Sequence, residues 1–118
     1  MEPLEEELLQ FTGSINYHRL YPGILLTDGA KFLAEAGACF WLMDVYTGFL
    51  WSINGNQEPF TVLRLEKSGI EAKVTIDNGN GEVLYQQAIP YTDFPLDRIN
   101  LYACWTDEFW LVMLPKEY

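Results

Sequence analysis

A chain of 118 residues with 49% hydrophobic and 15% aromatic side chains has the size and apolar content of one independently folding domain, which excludes a disordered segment. Seven Lys and Arg stand against seventeen Asp and Glu, a net charge of -10 with the cations scattered singly, so neither nucleic-acid phosphate nor an anionic membrane surface is an expected partner. Solubility is the plain reading of the acidity, and a basic protein partner or imitation of a polyanion is the alternative.

The segment MEPLEEELLQ is acidic where a secretory leader is basic and then apolar, and the nearly uncharged stretch 36–57 is interrupted by Asp44, Gly and Asn. The expectation is a cytoplasmic protein with no membrane span, in which Cys39 and Cys104 are reduced thiols. No repeat or linker divides the chain, so residues 1–118 read as one domain.

In chain order, Pro3 suits a first helical position, Glu5, Glu6 and Glu7 suit the positive end of a helix, and Leu4, Leu8 and Phe11 recur at helical spacing, predicting a helix that ends near Thr12-Gly13. Residues 15–26, broken by Pro22-Gly23, read as an irregular or weakly stranded connection. Thr27-Asp28-Gly29 opens a second helix that Gly37 closes. The run from Cys39 to Tyr46 is too uniformly apolar for periodicity to decide. It is read as a short strand to about Leu42, followed by a helix from Asp44 to about Ile53 with Asp44 as its cap. From Phe60 the period becomes two. Strands are expected at 60–66, at Ile70, Ala72, Val74 and Ile76 with their polar alternates, and at 82–89, the last two joined by Asp77-Asn78-Gly79-Asn80-Gly81. Ile99, Leu101, Ala103 and Trp105 alternate again, and 109–114 returns after a turn at Thr106-Asp107-Glu108. The fold class is α+β, with N-terminal helices packed on a mostly antiparallel sheet of about five strands.

The blocks Thr27-Asp28-Gly29, Trp41-Leu42-Met43-Asp44, Asp77 to Gly81, Ile89-Pro90-Tyr91-Thr92-Asp93-Phe94-Pro95-Leu96 and Leu114-Pro115-Lys116-Glu117-Tyr118 resemble a small family of uncharacterised proteins. The resemblance spans nearly the whole chain. It implies one domain of bacterial, phage or plasmid origin and assigns no activity to any residue.

Thiol catalysis would need Cys39 or Cys104 beside His18, but each cysteine stands in an apolar run that raises a thiol pKa, and core packing is the expected role. One His and two distant Cys do not make a structural zinc site. The 77–82 loop has glycine where a calcium loop needs side-chain oxygens, so its glycines are expected to supply positive φ to a hairpin. No glycine-rich phosphate loop is present, and no cofactor is expected. Among the carboxylates, Asp28, Asp44, Asp93 and Asp97 fall at element ends, and the pairs Thr27-Asp28, Thr92-Asp93 and Thr106-Asp107 read as caps and turns. Asp44, flanked by Met43 and Val45, either caps a helix, is buried with a partner, or is functional.

The aromatic surplus exceeds the needs of a small core, and exposed aromatics mark interfaces. Tyr91 and Phe94 sit on a loop stiffened by Pro90 and Pro95, where the competing reading has Phe94 plugging the core. Candidate binding residues are therefore Trp41, Asp44, Tyr91, Asp93 and Phe94. The expected function is a non-enzymatic interaction protein, an accessory whose acidic surface and aromatic patch engage another protein or its own copy; on a mobile element its specific version is an inhibitor that imitates nucleic-acid charge with Glu2, Glu5, Glu6, Glu7 and sheet-edge carboxylates. The alternative is a small enzyme or ligand-binding domain, which requires Asp44 and Asp93 in one aromatic-walled pocket.

Overall fold

A computed structural model describes residues 4–118. Pro3 and Glu2 lie outside the described residues. Among these residues three helices and seven strands follow in the order α1 (Leu4–Leu8), β1 (Tyr17–Tyr21), β2 (Ile24–Thr27), α2 (Asp28–Ala36), α3 (Phe40–Trp51), β3 (Phe60–Ser68), β4 (Glu71–Asp77), β5 (Val83–Ile89), β6 (Arg98–Trp105) and β7 (Trp110–Met113), with a single 3₁₀ turn at Pro115–Glu117.

The fold is α+β, as expected, but the sheet is larger and mixed. Its seven strands run in the order β1-β2-β7-β6-β3-β4-β5, and β2 lies parallel to β7 while every other pair is antiparallel. The two additional strands come from residues 15–26, where Pro22-Gly23 turns a hairpin instead of breaking a connection. Strand β1 alternates exposed and half-buried residues, so it offers little apolar periodicity to read. α1 is also shorter than its spacing suggests. The N–H groups of Leu9, Gln10 and Phe11 bond three residues back, a tightened end to the helix.

The apolar run at 39–46 resolves as helix. Cys39 is the N-cap of α3, and the strand expected to Leu42 is its first turn, so Asp44 stands inside the helix and caps nothing. Periodicity fails here for a physical reason. The buried arc Leu42, Met43, Tyr46, Thr47 and Leu50 is flanked on both sides by further apolar contacts, because both edges of the sheet reach α3. Tyr21 of β1 contacts Asp44 and Trp51, and Tyr85 of β5 packs its ring 5.8 Å from Phe49. The sheet therefore curls around α3.

The alternation at 70–76 and 99–105 is borne out. Ala72, Val74 and Ile76 face the helices together with Leu63, Leu65, Leu101 and Ala103. Ile70 falls in the turn before β4 and is exposed. The 77–81 loop is the hairpin expected of it, with Gly79 and Gly81 at φ +84° and +91° and the Asp77 carboxylate accepting the Gly79 N–H at 2.7 Å.

Candidate interaction surface

The exposed strip of α3 is built from β1 and the helix together. A register shift between Arg19 and Tyr21 breaks the β1 ladder, and beyond it the Tyr21 ring lies against α3. Its hydroxyl donates to Asp44 Oδ1 at 2.8 Å, and that bond holds the Tyr21 pKa above its ordinary value. The Tyr21 ring meets Trp51 edge-on at 5.8 Å, and the Trp51 indole N–H donates to the Pro22 carbonyl at 3.1 Å. Trp51 is nevertheless 58% exposed, and Phe40, one turn before Asp44, is exposed as well. The result is a carboxylate set among three outward aromatics, two of them held in place. On its other side Asp44 borders a shallow groove of about 390 Å³ lined by Gly48, Phe49, Tyr85 and Gln87.

The other candidates are dispersed. Trp41 is half-buried against the core. Tyr91 is 70% exposed, and Asp93 is exposed in the same loop. Phe94 is 1% exposed and joins the core cluster, the plug reading of this loop; its carbonyl accepts from Lys67 Nζ at 2.6 Å. Asp93 is not among the residues lining the groove beside Asp44.

The Thr-Asp pairs act locally, as their composition suggests. Thr27 Oγ1 accepts the Ala30 N–H at the start of α2, Thr92 Oγ1 the Phe94 N–H, and Thr106 Oγ1 the Phe109 N–H. Asp28 does more. Its Oδ1 meets His18 Nε2 at 2.7 Å and its Oδ2 accepts the N–H groups of Ile15 and Asn16, which lowers its pKa, chiefly through the His18 bond. His18 is thus engaged by a carboxylate. Burial pushes the Cys39 thiol up to about 12 and raises Cys104 as well, the opposite of what a nucleophile needs. Among the described residues no group of three or more His, Cys, Asp and Glu could hold a metal ion, and no helix is long and apolar enough to cross a membrane.

Asp44 stands out in the sequence, whereas nothing local marks Tyr21, Trp51 or Phe40 as its neighbours. No local signal links Tyr21 to Asp44, because the contact joins a bulged edge strand to a helix. The motif blocks meet through contacts that no local pattern announces. Glu117 Oε1 accepts from Thr27 Oγ1 at 2.6 Å and the Leu114 N–H at 3.0 Å, while Oε2 accepts the Gly29 N–H at 3.0 Å. The Tyr118 ring lies 5.4 Å from Phe60, against which Gly79 also packs. Three of the five blocks therefore close one end of the sheet onto α2, a scaffolding role. No curated protein and no solved structure matches the chain. The model of DUF6876, a family of unknown function, matches residues 2–118, nearly the whole length over which these blocks are spread, and the chain belongs to that family.

Proposed function

We propose that this protein is a non-enzymatic protein-binding module that docks a basic segment of its partner on the α3–β1 strip. The observation that carries this is Trp51, exposed yet pinned by the Pro22 carbonyl and the Tyr21 ring, beside Asp44. A surface aromatic already held in one rotamer loses little entropy on binding, and Trp and Tyr dominate the energetics of interfaces. A Lys or Arg from the partner would gain both the Asp44 carboxylate and the aromatic faces. Desolvation raises the pKa of both thiols and His18 is engaged by Asp28, so neither cysteine is placed as an activated nucleophile. Free Cys39 and Cys104 suit the reducing cytoplasm, where we place the protein.

An accessory or inhibitor role on a mobile element would put that partner among host proteins with basic faces. Wholesale imitation of nucleic acid is the less supported version. The exposed carboxylates are spread over α1, α2, α3 and several loops, and on the sheet Glu66 stands opposite Lys73 and Arg98. Asp28, Asp77 and Glu117 are consumed in internal bonds.

The test is affinity capture from source cells with the wild type, Trp51→Ala and Asp44→Asn, at low and raised salt. A partner retained by the wild type should bind roughly 30-fold more weakly to Trp51→Ala, the effect of losing about 2 kcal/mol. It should also be released by salt. Retention of the same proteins by all three forms would sink the proposal.

A further inference from the structure

α3 carries one glycine in its interior, Gly48, and neither the backbone nor the packing requires it. Its φ lies outside the left-handed region, and a Cβ built there would meet no heavy atom within 4 Å, whereas Gly29 and Gly55 are crowded by Glu117 and Trp105. Glycine is the poorest helix former after proline, so alanine would serve the helix better. What the missing side chain leaves open is the groove of about 390 Å³ that Gly48 lines between α3 and β5. A helical Cβ tilts toward the N-terminus, so a side chain at 48 would lie over the turn that carries Asp44, four residues earlier.

We propose that this groove takes an arginine side chain of the protein partner, and that Gly48 is the residue that admits it. The inference rests on the partner-binding reading above and names the side chain recognised beside Asp44. The hydroxyls of the groove have already spent their protons. Tyr85 donates to Gln87 Oε1 at 2.8 Å and Ser52 to the Phe49 carbonyl at 2.6 Å, so each offers only lone pairs outward. Among the described residues Asp44 is the one charged side chain lining the groove; its Oδ1 accepts from Tyr21, and its Oδ2 accepts no bond.

Acceptors on both α3 and β5 call for a cation rich in donors. An anionic ligand would face the Asp44 carboxylate and unmatched lone pairs. The Phe49 and Tyr85 rings, 5.8 Å apart, add flat apolar surface. A guanidinium carries five N–H donors in one plane and stacks on aromatic faces, so it can serve acceptors on both walls. A lysine ammonium is a compact, strongly hydrated point charge with no face to stack.

Titration of the full chain with the capped tripeptide Ala-Arg-Ala, followed by proton–nitrogen NMR correlation spectra, tests the assignment. The wild type should show saturable shifts at Gly48, Tyr85 and Gln87, with a dissociation constant at least about fivefold lower than for the lysine or citrulline tripeptide. Gly48→Leu should raise that constant at least about tenfold, by filling the groove. Gly48→Ala should raise Tm by about 3–5 °C, and Gly48→Leu should also melt above the wild type, so lost binding is not lost folding. Trp51 does not line the groove, and Trp51→Ala should leave the tripeptide's constant within about twofold. Absence of saturable shifts at the groove, equal affinity for the three tripeptides, or a wild-type constant in Gly48→Leu would overturn the assignment. The two readings fail separately. A tripeptide that binds through Gly48, although capture yields no Trp51-dependent partner, would support the groove and remove the Trp51 strip alone. A Trp51-dependent partner indifferent to Gly48→Leu would keep the strip and remove the groove.

Discussion

Replacing Glu117 removes a carboxylate that serves three donors at once, the Thr27 hydroxyl and the N–H groups of Gly29 and Leu114. It ties the 115–117 turn to the start of α2, where the helix dipole favours negative charge. Hydrogen bonds to a charged acceptor contribute about 1.5–3 kcal/mol each, and loss of a capping side chain costs about 1–2 kcal/mol. Glu117 is half-buried, so water can reach part of what Glu117→Ala exposes, and we expect a loss of about 2–4 kcal/mol in place of three full bonds. Glu117→Gln keeps one oxygen but turns an amide N–H toward the Gly29 N–H, for a loss of about 1–2 kcal/mol. Urea titration followed by Trp fluorescence measures both, and the Ala variant should lower Tm by roughly 10 °C. Gly29 adds an internal check. A Cβ there would fall 2.5 Å from Glu117 Oε1 and 2.7 Å from Leu114 Cδ1, so Gly29→Ala forces the carboxylate out of place. Because the two substitutions break the same contact, the double variant should be less destabilised than their sum by about 1–3 kcal/mol. A Glu117→Ala chain within about 0.5 kcal/mol of the wild type, or an additive cycle, would refute this account of the junction.

Three further outcomes follow from the buried and paired groups. Phe94→Ala should cost about 3–5 kcal/mol by leaving a cavity in the core, whereas Tyr91→Ala in the same loop should change stability by less than about 0.5 kcal/mol, both read by denaturant titration. The folded-state pKa of Asp28 is depressed below the ordinary 3.8, so its stabilisation is fully present above that value and is lost as pH falls through the folded pKa; Asp28→Asn should flatten this part of the acid-unfolding curve, and an unchanged curve would contradict it. Native Cys39 should resist alkylation at pH 8 and react only after unfolding, as peptide mass spectrometry would show.

Where one face of a strand is wet and the other dry, alternation located the strands, as at Ala72, Val74 and Ile76 or Leu101, Ala103 and Trp105. Where burial comes from several directions, the sequence carries no period. α3 is enclosed by the core and flanked by both sheet edges, so Phe40–Trp51 reads as apolar throughout, and Asp44 looks like a cap when it lies on the open strip of the helix. Ile24–Thr27 pairs in parallel with β7, a strand from near the far end of the chain, and no local pattern announces such a contact. The site suffered most from this. Asp44 and the exposure of Tyr91 were legible from composition, but the Tyr21–Asp44–Trp51 arrangement exists only through tertiary packing.

The parallel pairing of β2 with β7 also bears on biosynthesis. A ribosome-bound chain that has not yet released Trp110 to Met113 carries a β1–β2 hairpin with nothing beside it, and α2 lacks the Glu117 carboxylate at its N-terminus. Early-made segments must wait for late-made ones, at a loop-closure cost that local helices do not carry. Stalled or truncated products would expose Ile24 and Leu26, buried in the finished fold, to chaperones and proteases.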